Sequence, residues 1–99
     1  MQQLKEAIAI DVEALRAGFT HVCFERTGAS GETLFYYLSY QPSLFDGWAV
    51  VRIHGVARGR QKRLPLVPYA SLDEAWPFLK AVIQRRLREG CVIVDPAPL

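Results

Sequence analysis

Ser71-Leu72-Asp73-Glu74 opens the segment that most constrains this chain. Serine and glutamate at that spacing form a capping box, each satisfying a backbone N–H that the first helical turn leaves unpaired. Asp73 and Glu74 suit the positive start of a helix, and Arg85, Arg86 and Arg88 suit its negative end. Gly90 stops it. Leu72, Ala75, Leu79, Val82 or Ile83, and Leu87 fall on one stripe. Trp76 lies off that stripe, and Pro77 is expected to kink the helix or reset its start. A long helix with one apolar stripe must bury it against another layer.

The preceding residues offer that layer. His21 to Thr27 alternates, with Val22 and Phe24 facing one way and Cys23 and Glu25 the other. Gly28-Ala29-Ser30-Gly31 reads as a turn, and residues 33–41 are dense in aromatics, as a half-buried pleated surface prefers. Asp46-Gly47 marks a second turn, because both residues tolerate the backbone a tight reversal needs. Residues 48–53 form a third strand, with Trp48 read as core. A flexible loop at 55–59 leads to a fourth strand over 60–67, where Pro65 and Pro68 point to an edge. Residues 91–94 can add a further edge strand.

Before the strands, residues 2–17 read as a helix, with Leu4, Ile8 and Leu15 on one stripe and Gly18 ending it. Asp11 can instead cap a second, shorter helix. The expected fold is therefore α+β: an antiparallel sheet of about four strands, a C-terminal helix packed across it and an extra N-terminal helix. Residues 1–18 form the N-terminal helix, 19–94 the domain proper and 95–99 a flexible tail. Ninety-nine residues suit one domain.

Nowhere do about 18 apolar residues run together, so no membrane partner is expected. The charged N-terminal stretch lacks the apolar core of a secretory signal. A cytoplasmic location follows, with Cys23 and Cys91 reduced and acting as small hydrophobes in apolar runs.

Catalytic chemistry finds little to work with. The histidines are His21 and His54; a Cys23 or Ser nucleophile with a His54 base can be drawn, but nothing local supports it, and no metal-ligand spacing occurs. Gly55 to Gly59 matches no phosphate-cradling fingerprint. Asp73 and Glu74 are accounted for by the helix start. No enzyme activity, cofactor or metal is expected.

Charge is unevenly spread. Residues 1–46 carry three cations against six acids, and residues 47–90 carry nine against three. A basic half is suited to an anionic partner. Arg58-Gly59-Arg60-Gln61-Lys62-Arg63 concentrates four cations in six residues. Guanidinium forks match phosphate oxygens, and glycine lets backbone approach them. Arg52 can join from the preceding strand. On an alternating strand Arg58, Arg60 and Lys62 would share one face and Arg63 would point away. Tyr40 and Tyr69 are the nearest candidates for stacking. A solvated basic loop, a nucleic-acid grip and a contact for an acidic protein all fit this pattern. Arg85, Arg86 and Arg88 read as helix-end electrostatics, with contact to an anion as the alternative.

Residues 35–52, FYYLSYQPSLFDGWAVVR, resemble the first half of a WGR domain, whose pattern is F-Y-x-L-x-x-x-P-x-L-F-x-x-W-x-L-V-R. The likeness extends over about 19–92, with a capped helix like Ser71 to Glu89. Such domains occur in poly(ADP-ribose) polymerases, in bacterial regulators similar to the molybdate metabolism regulator, and as short bacterial proteins. The resemblance implies an antiparallel sheet with a helix across it, and nucleic-acid binding or interdomain contact rather than catalysis. Where the family has Trp-Gly-Arg, this chain has His54-Gly55-Val56. In the polymerases that tryptophan contacts a DNA end and that arginine relays the signal to neighbouring domains. Here only Gly55 carries over. His54 offers less stacking area, and Arg58, Arg60 and Lys62 stand where charge could be replaced.

The expected function is a small non-catalytic module binding nucleic acid, DNA first, through Arg52, His54, Gly55, Arg58, Arg60, Lys62 and Arg63. The alternative is a protein-interaction module on the same scaffold, with the N-terminal helix covering a sheet face or seeding a homodimer.

Overall fold

The structure, a computed structural model, describes residues 11–43 and 47–94. Its strands are β1 (His21–Thr27), β2 (Thr33–Pro42), β3 (Trp48–Val56), β4 (Gln61–Arg63), β5 (Val67–Tyr69) and β6 (Val92–Val94), with one α-helix, α1 (Leu72–Arg88). All pair antiparallel in one sheet, ordered β4-β3-β2-β1-β6, with β5 also on β3.

The expected sheet of about four strands is thus corrected to six in a mostly-β α+β fold. Two causes account for the difference. The fourth strand breaks in two along the same edge of β3. Ile53 faces Arg63 and Val50 faces Val67, so residues 64–66 stand against only 51–52. One extra residue on the outer strand is a bulge. Leu64 N–H still donates to the Arg52 carbonyl at 2.9 Å, but Pro65 has no N–H to continue the ladder. The sixth strand is the segment 91–94, laid along β1 with Phe24 opposite Ile93.

Over its described residues, 11–17, the expected N-terminal helix is corrected as well. Residues 11–20 hold a single 3-10 turn, Val12–Leu15, capped by Asp11, whose carboxylate accepts from Glu13 N–H at 3.1 Å. The expected helix over 2–10 lies outside the described residues, as does the tail 95–99.

The C-terminal helix follows its pattern closely. Ser71 Oγ accepts from Glu74 N–H at 3.2 Å, and Glu74 Oε2 reaches back to Ala70 N–H at 3.2 Å. The helix runs unbroken through Pro77 without resetting its start. At the far end Gly90 takes φ 88°, Gly90 N–H donates to the Leu87 carbonyl and Cys91 N–H to that of Arg86, both at 3.1 Å. That pair of bonds is a Schellman stop, and it turns the chain directly into β6.

Even-numbered strand residues face α1. Val22, Phe24, Leu38, Tyr40 and Val50 form one core with Ala75, Trp76, Leu79 and Ile83. Trp76, off the expected stripe, is buried at 3% exposure because it packs beyond the sheet against Phe19 and the 3-10 turn, ring centroids 5.9 Å apart. Trp48 departs from expectation in the other sense. It lies 42% exposed, stacked on Tyr40 at 5.1 Å. The odd-numbered face also buries side chains, among them Cys23, Phe35 and Val51. Burial pushes the Cys23 thiol up to about 11, with Glu25 adding to it.

Candidate functional site

Register aligns side chains in rows across the sheet. One row runs Phe24, Tyr36, His54, Lys62 through β1, β2, β3 and β4. The next holds Arg26 and Leu34. The Schellman stop brings the last turn of α1 over these rows, and a cleft of about 430 Å³ opens between helix end and sheet. Arg26, Arg52, Arg85, Arg86 and His54 line it, and among the described residues no carboxylate does.

Two of these arginines rest against aromatic rings. The Arg86 guanidinium lies 4.6 Å from the Tyr36 ring centroid and its Nη2 is 3.2 Å from Glu89 Oε1. The Arg52 guanidinium lies 5.2 Å from the Phe78 centroid, and its Nη2 donates to the Pro65 carbonyl at 3.4 Å. The bulge therefore also positions an arginine. In both side chains Nε is buried with no hydrogen-bond partner. A buried donor left unpaired costs about 1–3 kcal/mol. Tyr36 and His54 rings lie nearly parallel, 8° apart with centroids at 6.0 Å. Cys91 also lines the cleft, its thiol raised by burial against the opposing pull of Arg26 and Arg86.

The residues expected to bind divide into three groups. Arg52, His54 and Gly55 line the cleft. Lys62 sits beside His54 on the same face and is exposed, whereas Arg63 pairs with Ile53 and belongs to the other face. Arg58 and Arg60 lie in the turn before β4, which begins only at Gln61, so the expected shared strand face does not form. Val56 carbonyl accepts from Gly59 N–H at 2.8 Å and Arg58 takes φ 63°. Glycine is the usual residue at such a turn position. Gly55 is required sterically: a Cβ there would run into the Arg60 carbonyl oxygen and lie 2.9 Å from Gln61 Cα.

Sequence reasoning missed Arg26 and Tyr36, and read Arg85 and Arg86 first as helix-end electrostatics, with contact to an anion as the alternative. The signal lay in the parity of 24, 26, 36, 52 and 54, which converges only once strand register is known.

Among the described residues no helix is long and apolar enough to cross a membrane. Comparison with protein-family models, with curated proteins and with solved structures finds no match.

Proposed function

We propose that this chain is a small cytoplasmic, non-catalytic module that binds nucleic acid, DNA first, on a WGR-like scaffold. The observation that carries the reading is the cleft lined by Arg26, Arg52, Arg85, Arg86 and His54, with no carboxylate from the described residues. Guanidinium groups with free donors and an electropositive concave surface suit phosphate oxygens. Arg58, Arg60 and Lys62 extend the same charge beyond the mouth. Arg26, Arg52, Arg58, Arg60 and Lys62 make no ion pair among the described residues, so their charge is free to engage a ligand. Little base preference is expected, since the contacts address backbone.

The test is fluorescence anisotropy of labelled DNA over a range of salt. Engagement of three or four phosphates gives a log–log slope of about −3 to −4 on duplex. Affinity that is absent at low salt, or flat in salt, removes the reading.

A second reading, contact with protein or a second copy of the chain, is favoured by one observation. The edge strand β6 exposes Val92 and Ile93 at 53% and 36%. Unpaired apolar edges are templates for strand addition. Sedimentation over a concentration series distinguishes self-association from a monomer.

A further inference from the structure

We infer that the cleft receives a single unpaired nucleotide of a strand, its phosphate between Arg52 and Arg86 and its sugar and base against Tyr36 and His54. This rests on the nucleic-acid reading and goes further, because it names the form of nucleic acid the cleft takes.

Size is the first argument. A cleft of about 430 Å³ lies in the range of sites that enclose small ligands, roughly 300–1,000 Å³. A duplex keeps its bases paired and stacked, so it meets such a cleft only at the rim. One unstacked nucleotide can enter.

The lining is the second. Single strands are held by aromatic rings and guanidinium planes against bases, with cations along the backbone. The cleft has both components in contact. Tyr36 and His54 are consecutive members of one cross-strand row, and the Arg86 plane lies over Tyr36. Lys62 continues the row outward, where the neighbouring phosphate of an entering strand would pass.

The third is the pair of guanidinium groups. Arg52 Nε and Arg86 Nε are both buried, and each Nη2 is already engaged. That leaves Nη1 of each to donate to a phosphate, a charge-assisted hydrogen bond. Two such cations on one cleft suit a phosphodiester better than a neutral ligand.

The experiment compares, at one salt concentration, a blunt hairpin duplex with the same hairpin carrying a short single-stranded overhang that contains a fluorescent adenine analogue. Free nucleoside monophosphate serves as competitor. The overhang probe should bind about tenfold or more tightly than the blunt one, and the analogue should change in emission on binding. His54→Ala should erase the preference between the two probes together with the emission change, and Arg52→Gln, tested beside it, should weaken the overhang probe more than the blunt one. Thermal melts verify that both variants fold. Equal, salt-sensitive affinity for both probes overturns the inference and leaves the nucleic-acid reading standing. Binding to neither probe removes both. Competition by the free monophosphate at strand-equivalent concentrations assigns the cleft to a small nucleotide and overturns the strand.

Discussion

The indole N–H of Trp76 donates to the carboxylate of Glu13 at 2.9 Å, joining the 3-10 turn to α1 across 63 residues of sequence. Lys80 approaches the same oxygen at 2.7 Å, and Arg16 spans Glu13 and Asp73 at 4.0 and 2.6 Å. These contacts, the Lys80 hydrogen bond first and the Trp76 bond next, hold the Glu13 carboxyl below its ordinary range. A depressed folded-state pKa contributes stability above the unfolded value of about 4.3, and that contribution is lost as pH falls through the folded value. Melting of the wild type should therefore decline below about pH 4 more steeply than that of Glu13→Gln, whose amide does not titrate. Parallel pH profiles by circular dichroism would show that Glu13 contributes nothing to docking the turn.

Gly55→Ala should be strongly destabilising. The new methyl group meets backbone at Arg60 and Gln61, which cannot swing aside as a side chain would. A loss on the order of 1–3 kcal/mol is expected, lowering the melting temperature by roughly 5–20 °C for a domain of this size. An unchanged melt would mean that β3 and β4 do not approach as described.

Arg58→Gly should act in opposite directions on stability and binding. Arg58 sits at φ 63°, where a residue with a Cβ is strained by about 1 kcal/mol or more. Glycine relieves that strain and removes one cation. The variant should melt higher and bind DNA more weakly, with a salt slope shallower by about one if Arg58 meets a phosphate. A variant that gains stability and binds as before confines Arg58 to the turn.

Arg52→Gln and Arg63→Gln separate the two faces of the sheet. Arg52 lines the cleft and Arg63 projects from the other side. The first change should weaken binding and reduce the salt slope by about one; the second should leave both nearly unaltered. Equal losses would spread the contact over the basic loop regardless of face.

The helix was readable because its cap, stripe and glycine stop are all local: each signal acts within a few residues, and Ser71, Glu74 and Gly90 perform as their spacing implies. The first three strands were readable for the same reason. The split of the fourth was not, since the break depends on how residues 64–66 register against 51–52. Trp48 shows the limit of composition. Its ring is apolar, but it stands at the first position of β3, between Pro42 and Tyr69, stacked on Tyr40 and still exposed. The basic loop was conspicuous as a run, yet the concave site draws on Arg26 from β1, Arg52 from β3 and Arg86 from α1. No sequence window contains those three together. Only register and the Schellman turn at Gly90 bring them to one cleft.

The central claim, that this cleft holds nucleic-acid phosphate, is tested most directly at the two buried donors. Heteronuclear NMR of the arginine Nε–Hε groups, assigned through Arg52→Lys and Arg86→Lys, can follow them during titration with a short DNA strand. The account predicts that the Arg52 and Arg86 signals move together and saturate at the same DNA concentration, as each guanidinium gains a phosphate neighbour. If those two signals stay fixed while only exposed arginines such as Arg58, Arg60 or Arg63 respond, the cleft is not where the strand binds.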